Sequence, residues 1–199
     1  RPMTFDDEKS MMSNKNPNVD VMNTLLVRCM SNINVSEMLV LDKLYAVMKL
    51  REISYGDEYN AKISCPDCKK ENDVTFKLST LHTNFVSDEY TNPVSVKLPV
   101  LQKTLTITLP RIKDEQWLVN TETTSKNLWR FVEDIEGYKS KSVIQEFCSQ
   151  LPLKDAHAVF KALGGGDLGI DTRVRFACHY CSHNEPMVLP ITADFFTSN

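Results

Sequence analysis

Polar and apolar residues alternate most regularly in the run TLTITL at 104–109. Leu105, Ile107 and Leu109 fall on one face and the threonines on the other, as in a half-buried strand. Residues 94–98 read as a companion strand, and Pro99 and Pro110 stop the two. A hairpin is predicted on each side of this pair. The first runs over 61–65, a turn, then 73–78, and the second over 172–178, a turn, then 187–191.

Elsewhere the apolar spacing is helical. Residues 21–30 form a short predicted helix with Leu25 and Leu26 on its apolar side. A second covers 35–50, with Asn34 as cap and Glu37 three positions on, as in a capping box. Met38, Leu41, Tyr45 and Met48, with Leu44 beside them, make a stripe that suits either an internal core or a docking face. Residues 114–119 read as a helical turn. Residues 124–136 read as a helix with Leu128, Trp129 and Phe131, ended by Gly137. Further helices are predicted at 142–148 and 154–163, separated by Pro152 and closed by the glycines at 164–166. Residues 1–20 are polar and predict an extended arm, ordered only against a partner. Phe195 and Phe196, near the end of the chain, either pack back or form a contact patch.

The pattern gives an α+β fold. Its expected parts are an arm at 1–20, a helical segment at 21–58, a split zinc ribbon at 59–81 and 172–196, and an insert of strands and helices at 82–171. The ribbon follows from two CxxC pairs, Cys65 with Cys68 and Cys178 with Cys181, each at the turn of a predicted hairpin. Two intervening residues let a tight turn aim both sulfurs at one ion. A redox dithiol is the competing reading, but it wants its cysteines opening a helix, and neither pair does. Four thiolates suit a structural Zn²⁺ and leave no open position for water or substrate. An iron–sulfur cluster is the lesser alternative, because its usual motifs space cysteines more tightly. His179 or His183 replacing one cysteine is another. Lys69, Lys70, Arg173 and Arg175 flank the pairs and would offset the net charge of four thiolates around a dication.

Composition narrows the rest. The chain has 199 residues, 42% of them hydrophobic, enough for a core in one domain or two small ones. Its net charge of -3 disfavours a nucleic-acid surface, although a ribbon used as a nucleic-acid-binding or regulatory module is the alternative function. No apolar run long enough to span a membrane occurs, and no secretory signal pattern is visible. Cys29 and Cys148 read as small buried hydrophobes, and His82 and His157 as ordinary surface or half-buried histidines. The glycines at 164–169 lack the lysine and hydroxyl of a phosphate loop. No paired acid–base constellation marks an enzyme or a small-molecule substrate.

The knuckle KISCPDC at 62–68, the strand LTITLP at 105–110 and the run GIDTRVRFACHYC at 169–181, followed by Asp194, Phe195 and Phe196, resemble a known family. They are similar to the baseplate proteins of T4-type contractile-tailed phages, in particular those of hub assembly. The resemblance spans roughly 35–196 and leaves out the arm. It implies a non-enzymatic structural or assembly protein of the virion tail baseplate, assembled in the host cytoplasm, whose partners are other baseplate or hub subunits. By motif it carries over Cys65, Cys68, Cys178 and Cys181 as metal ligands, and no catalytic residue.

Overall fold

The computed structural model describes residues 1–13, 20–88, 90, 92–191 and 193–196, without the side chains of Ala193 and Asp194. In chain order the elements are α1 (Phe5–Ser13), α2 (Val21–Cys29), α3 (Val40–Tyr55), β1 (Glu58–Ser64), β2 (Glu71–Lys77), β3 (Thr83–Asn84), β4 (Val94–Lys97) and β5 (Thr104–Ile107). There follow α4 (Thr121–Asn127), β6 (Val132–Ile135), α5 (Lys141–Ser149), α6 (Leu153–Leu163), β7 (Gly169–Ile170), β8 (Arg173–Ala177) and β9 (Asn184–Val188). They form two compact units. One comprises residues 1–33, 44–84 and 170–199, and the other 34–43 and 85–169.

The first unit starts with a correction. Residues 5–13 are helical where the sequence predicts an extended arm. Thr4 and Asp7 cap the helix reciprocally. The Thr4 carbonyl accepts from the Asp7 N–H at 3.0 Å, and the Asp7 carboxylate accepts from the Thr4 N–H at 2.9 Å. Acidic Asp6, Asp7 and Glu8 fill the first turn, where the helix dipole favours them. Asp7 is fully buried, and it is neutralised by the Arg1 guanidinium at 2.7 Å and by Arg28 of α2 at 2.7 Å. The rest of the expected arm, 14–19, lies outside the described residues. Asp20 then caps α2, accepting from the N–H groups of Met22 and Asn23.

Strands β1 and β2 pair antiparallel from Glu58↔Lys77 to Ser64↔Glu71. Tyr59, Ala61 and Ile63 alternate inward, with Phe76 and Leu78 opposite. Strands β8 and β9 pair from Arg173↔Val188 to Ala177↔Asn184, and Phe176 points inward. Both phenylalanines of the tail pack back on this unit and are fully buried. Phe195 meets the Tyr59 ring edge-on at 4.8 Å, and the Tyr55 hydroxyl donates to the Phe196 carbonyl at 2.7 Å. Arg51 stacks over Tyr55 and Phe195. The chain leaves this unit after Asn84 and re-enters at Ile170. There the Asp171 N–H donates to the His82 carbonyl at 2.8 Å.

The second unit holds a three-stranded antiparallel sheet in the order β4-β5-β6. Val96, Leu105, Ile107, Val132 and Ile135 from the sheet share a core with Leu98 just after β4, with Leu128 and Phe131, with Ile144 of α5 and with Val159 and Leu163 of α6. The helix predicted over 124–136 stops early. Helix α4 covers Thr121–Asn127, a 3-10 turn covers Leu128–Arg130, and Val132–Ile135 is a strand against β5. Leu128, Phe131, Val132 and Ile135 recur at helical spacing, so the pattern misleads. Tertiary pairing decides, and Glu136 and Gly137, both at positive φ, make a two-residue hairpin turn rather than a helix cap. Buried Asp155 in the first turn of α6 accepts from the N–H groups of Val100 and Leu101 at 2.7 and 3.0 Å, fixing the β4–β5 turn.

The helix predicted over 35–50 is also interrupted. Val35–Glu37 is a 3-10 turn, Leu39 bridges to Arg111, and α3 starts at Val40. The N–H of Val40 donates to Pro110 and that of Ile112 to Met38, so extended pairing takes the backbone groups a helix would need. Asn34 caps the turn as expected, but Glu37 pairs with Lys113 at 2.6 Å instead of closing a capping box. Of the predicted stripe only Met48 is fully buried, and Leu41, Leu44 and Tyr45 are half-buried. Gly165 sits at φ +82, and a Cβ there would meet Leu41 Cδ2 at 3.2 Å, so glycine is needed on both counts.

The Arg1 and Arg28 partners hold the Asp7 carboxyl well below the usual carboxylate range against the opposing effect of burial. A depressed folded value adds stability that is complete above the unfolded pKa, near ~3.9, and is lost as pH falls through the folded one. We expect the amide signals of residues 5–13 to hold from pH 7 to 5 and to change only below about pH 4. Asp7→Asn should weaken helix docking at neutral pH by about 2–4 kcal/mol, read by amide exchange.

Candidate metal centre

The strand alternation that buries Tyr59, Ala61 and Ile63 continues to Cys65, which is fully buried. The same parity in β8 runs through Val174 and Phe176 to Cys178. Each hairpin therefore aims the first cysteine of its pair along its core-facing row. The second cysteine of each pair comes from the turn. In the first turn the Cys65 N–H donates to the Lys70 carbonyl and the Lys69 N–H to the Cys65 carbonyl, both at 3.0 Å. Lys69 adopts φ 60, the left-handed conformation that closes the knuckle. In the second turn the Cys178 N–H donates to the His183 carbonyl at 3.0 Å. The Tyr180 N–H points at the Cys178 sulfur from 3.4 Å.

All four sulfurs lie within 4.8 Å of one another, the one group of this kind among the described residues. Cys65 Sγ is 3.7 Å from Cys181 Sγ, and Cys68 Sγ is 3.7 Å from Cys178 Sγ. A disulfide would need about 2.05 Å. Sulfurs at about 2.3 Å from a central ion form a tetrahedron with edges of about 3.8 Å. The spacing thus fits a single metal ion, and the cluster is capable of holding one.

Electrostatics point the same way. At Cys178 burial opposes ionisation, but the N–H groups of Tyr180 and Cys181 and the neighbouring thiols outweigh it and bring the thiol to about 6. At Cys181 the His183 N–H favours the thiolate, yet burial and the other three sulfurs push the thiol up to about 12. Without a cation, adjacent sulfurs cannot all ionise together. A bound dication removes that conflict.

The surrounding side chains differ in part from expectation. Among the described residues neither His179 nor His183 joins the sulfur cluster. His183 Nδ1 lies 2.9 Å from Asp67 Oδ2, and Nε2 lies 3.0 Å from Glu185 Oε1 but out of line for a hydrogen bond. Glu185, opposed by burial and seconded by Asp67, raises the His183 pKa. Lys69 donates to the Pro66 carbonyl at 2.6 Å, and Lys70 covers the Tyr180 ring. Arg173 instead binds Asp171 at 2.6 Å. Cys29 is buried, and burial pushes half-buried Cys148 up to about 11, so neither resembles an activated thiol. His82 bonds to Asn84, His157 is exposed, and the glycines from Gly164 end α6.

One structural residue escapes the motif reading. Asn72 is buried, accepts from the His179 N–H at 2.8 Å and donates to the Lys70 carbonyl at 3.0 Å. It ties the two cysteine turns together without touching a sulfur. Its signal in the sequence was parity, because position 72 is a polar residue in the inward row of Phe76 and Leu78.

A family model described as T4 bacteriophage base plate protein matches residues 1–197. The chain belongs to that family, and the match takes in the N-terminal residues that the motif resemblance leaves out. No curated protein and no solved structure shows significant similarity. The protein is thus a non-enzymatic baseplate component of the virion tail that acts through other proteins, with a four-cysteine cluster able to bind metal. Among the described residues no helix is long and apolar enough to cross a membrane.

The left-handed backbone at Lys69 gives a clean test of the knuckle. Lys69→Gly should stabilise the protein by about 0.5–1 kcal/mol, and Lys69→Val should destabilise it by more than about 1 kcal/mol. Denaturant midpoints at equal metal content measure both.

Proposed function

We propose that this baseplate-family chain is a structural or assembly component of the tail hub, braced by a Zn²⁺ ion on Cys65, Cys68, Cys178 and Cys181. The hairpins at 59–81 and 172–196 act as the halves of a split zinc ribbon. The insert at 82–171 and the N-terminal segments offer surfaces to other hub subunits. What carries the reading is the convergence of four sulfurs, from turns 110 positions apart, in a chain matched throughout by the family.

Closing a loop of that length in the unfolded chain costs about 4–5 kcal/mol of entropy. Structural zinc sites contribute roughly 10–16 kcal/mol in small peptides, so the metal term is the larger. A single ion fits the close sulfur spacing better than an iron–sulfur cluster, whose own width would hold the ligands apart. Four sulfur ligands leave no vacant coordination position, so the ion stabilises rather than catalyses. All described cysteines are free thiols, which suits assembly in the reducing host cytoplasm.

Native mass spectrometry should find one zinc per chain. Cys65→Ser should lose it and about 4 kcal/mol or more of stability. Retention of full metal and stability by that variant would contradict the ligand assignment. The protein should copurify with tail proteins, and its deletion should abolish baseplates. Full particle yield without it would overturn the assembly role.

A further inference from the structure

The phase of each hairpin ladder shows which backbone groups face away from it. The Leu78 N–H donates to Asp57 at 2.9 Å and the Cys65 N–H to Lys70 at 3.0 Å, which fixes the hydrogen-bonded pairs of the first hairpin. The backbone groups of Thr75 and Lys77 therefore point away from β1, and the Lys77 carbonyl accepts from the Thr80 hydroxyl at 2.6 Å. In the second hairpin the Cys178 N–H donates to His183 and the Leu189 N–H to Thr172, so those of Arg173 and Arg175 point away from β9. The Arg173 N–H is taken by Asp171 at 2.9 Å. The opposite edge of this hairpin carries Pro186, at an outward position across from Arg175, and a proline there has no N–H to offer. The β9 edge is blunted there, and on the β8 edge the backbone groups of Arg175 face outward.

The outward edges of β2 and β8 border a common cleft of about 570 Å³, lined by Thr75–Lys77 of β2 and Arg173–Arg175 of β8, with Leu81 and His82 also lining it. Near the cysteines the hairpins are joined by Asn72, and past Lys77 the Asp171 N–H donates to the His82 carbonyl at 2.8 Å, so the cleft lies between these two ties and is entered from its open face. Lys77, Arg173 and Arg175 give it three cations against one carboxylate, Asp171, which Arg173 already binds. This is a basic feature on a chain of net charge -3.

We propose that this cleft receives an extended, acidic segment of a partner protein by strand addition to β2, β8 or both. The inference rests on the assembly role proposed above and specifies the partner's chemistry. Strand addition satisfies alternating donors and acceptors at once, which a phosphate, being acceptor only, cannot. Three or four residues at about 3.3 Å each match the three-residue borders. Charge then selects an acidic segment over a neutral or basic one, and its side chains would meet Lys77 and Arg175.

The test uses the full chain with its metal and four probes. These are a capped (Thr-Glu)4 peptide, its (Thr-Lys)4 twin, a (Thr-Glu)4 peptide N-methylated at alternate residues, and an oligothymidylate. The (Thr-Glu)4 peptide should bind at least tenfold tighter than the other three. It should slow amide exchange at Thr75, Lys77 and Arg175. Arg175→Glu and Lys77→Glu, with metal content unchanged, should each lower that affinity at least tenfold. Equal binding of the N-methylated peptide, preference for the oligonucleotide, or no binding by any probe would overturn strand addition here. Copurification with tail proteins is scored separately, so the baseplate reading can stand while the cleft fails, or the reverse.

Discussion

The structure depends on four sulfur atoms meeting. Their residues lie in two turns separated by 110 positions, and among the described residues no regular ladder joins the hairpins that carry them. The join is made by side chains, with the sulfurs on one side and Asn72 on the other. Each two-stranded hairpin is too small to stand alone in water. Tyr59, Phe176, Phe195 and Phe196 are all buried in this unit, with the Phe195 ring meeting both Tyr59 and Phe196 edge-on. The strands aim Cys65 and Cys178 along their inward rows, so the core and the cluster are built by one alternation.

Much of this is legible in the sequence. The CxxC spacing and the parity of the strands gave the hairpins and the cysteine set, because both are local signals. The strands at 94–97 and 104–107 were equally plain from alternation and prolines. The failures are instructive. Leu128, Phe131, Val132 and Ile135 suit a helix face and a bulged strand alike, and only the neighbouring strand β5 decides between them. At Leu39 the chain pairs with Arg111, a partner 72 positions away that no window of sequence contains. The helix at 5–13 was hidden by its polarity. Its capping pair, Thr4 and Asp7, was visible, but the arginines that neutralise Asp7 were not identifiable as its partners.

The same contrast explains how function emerges. The family match spans the described residues, and among these no side-chain set resembles a catalytic constellation. Instead the polar groups that matter hold backbone: Asp7 the first helix, Asp155 the β4–β5 turn, Asn72 the cysteine turns. The His82–Asp171 contact lies where the chain leaves and re-enters its first unit, at the opposite end of the hairpins from the cysteine turns.

Zinc-edge X-ray absorption on the native protein tests the central claim most directly. Four sulfur neighbours at about 2.3 Å around each ion, with no nitrogen or oxygen ligand, are expected. A shell with two or more light-atom ligands, or a native protein that carries no metal, would contradict it.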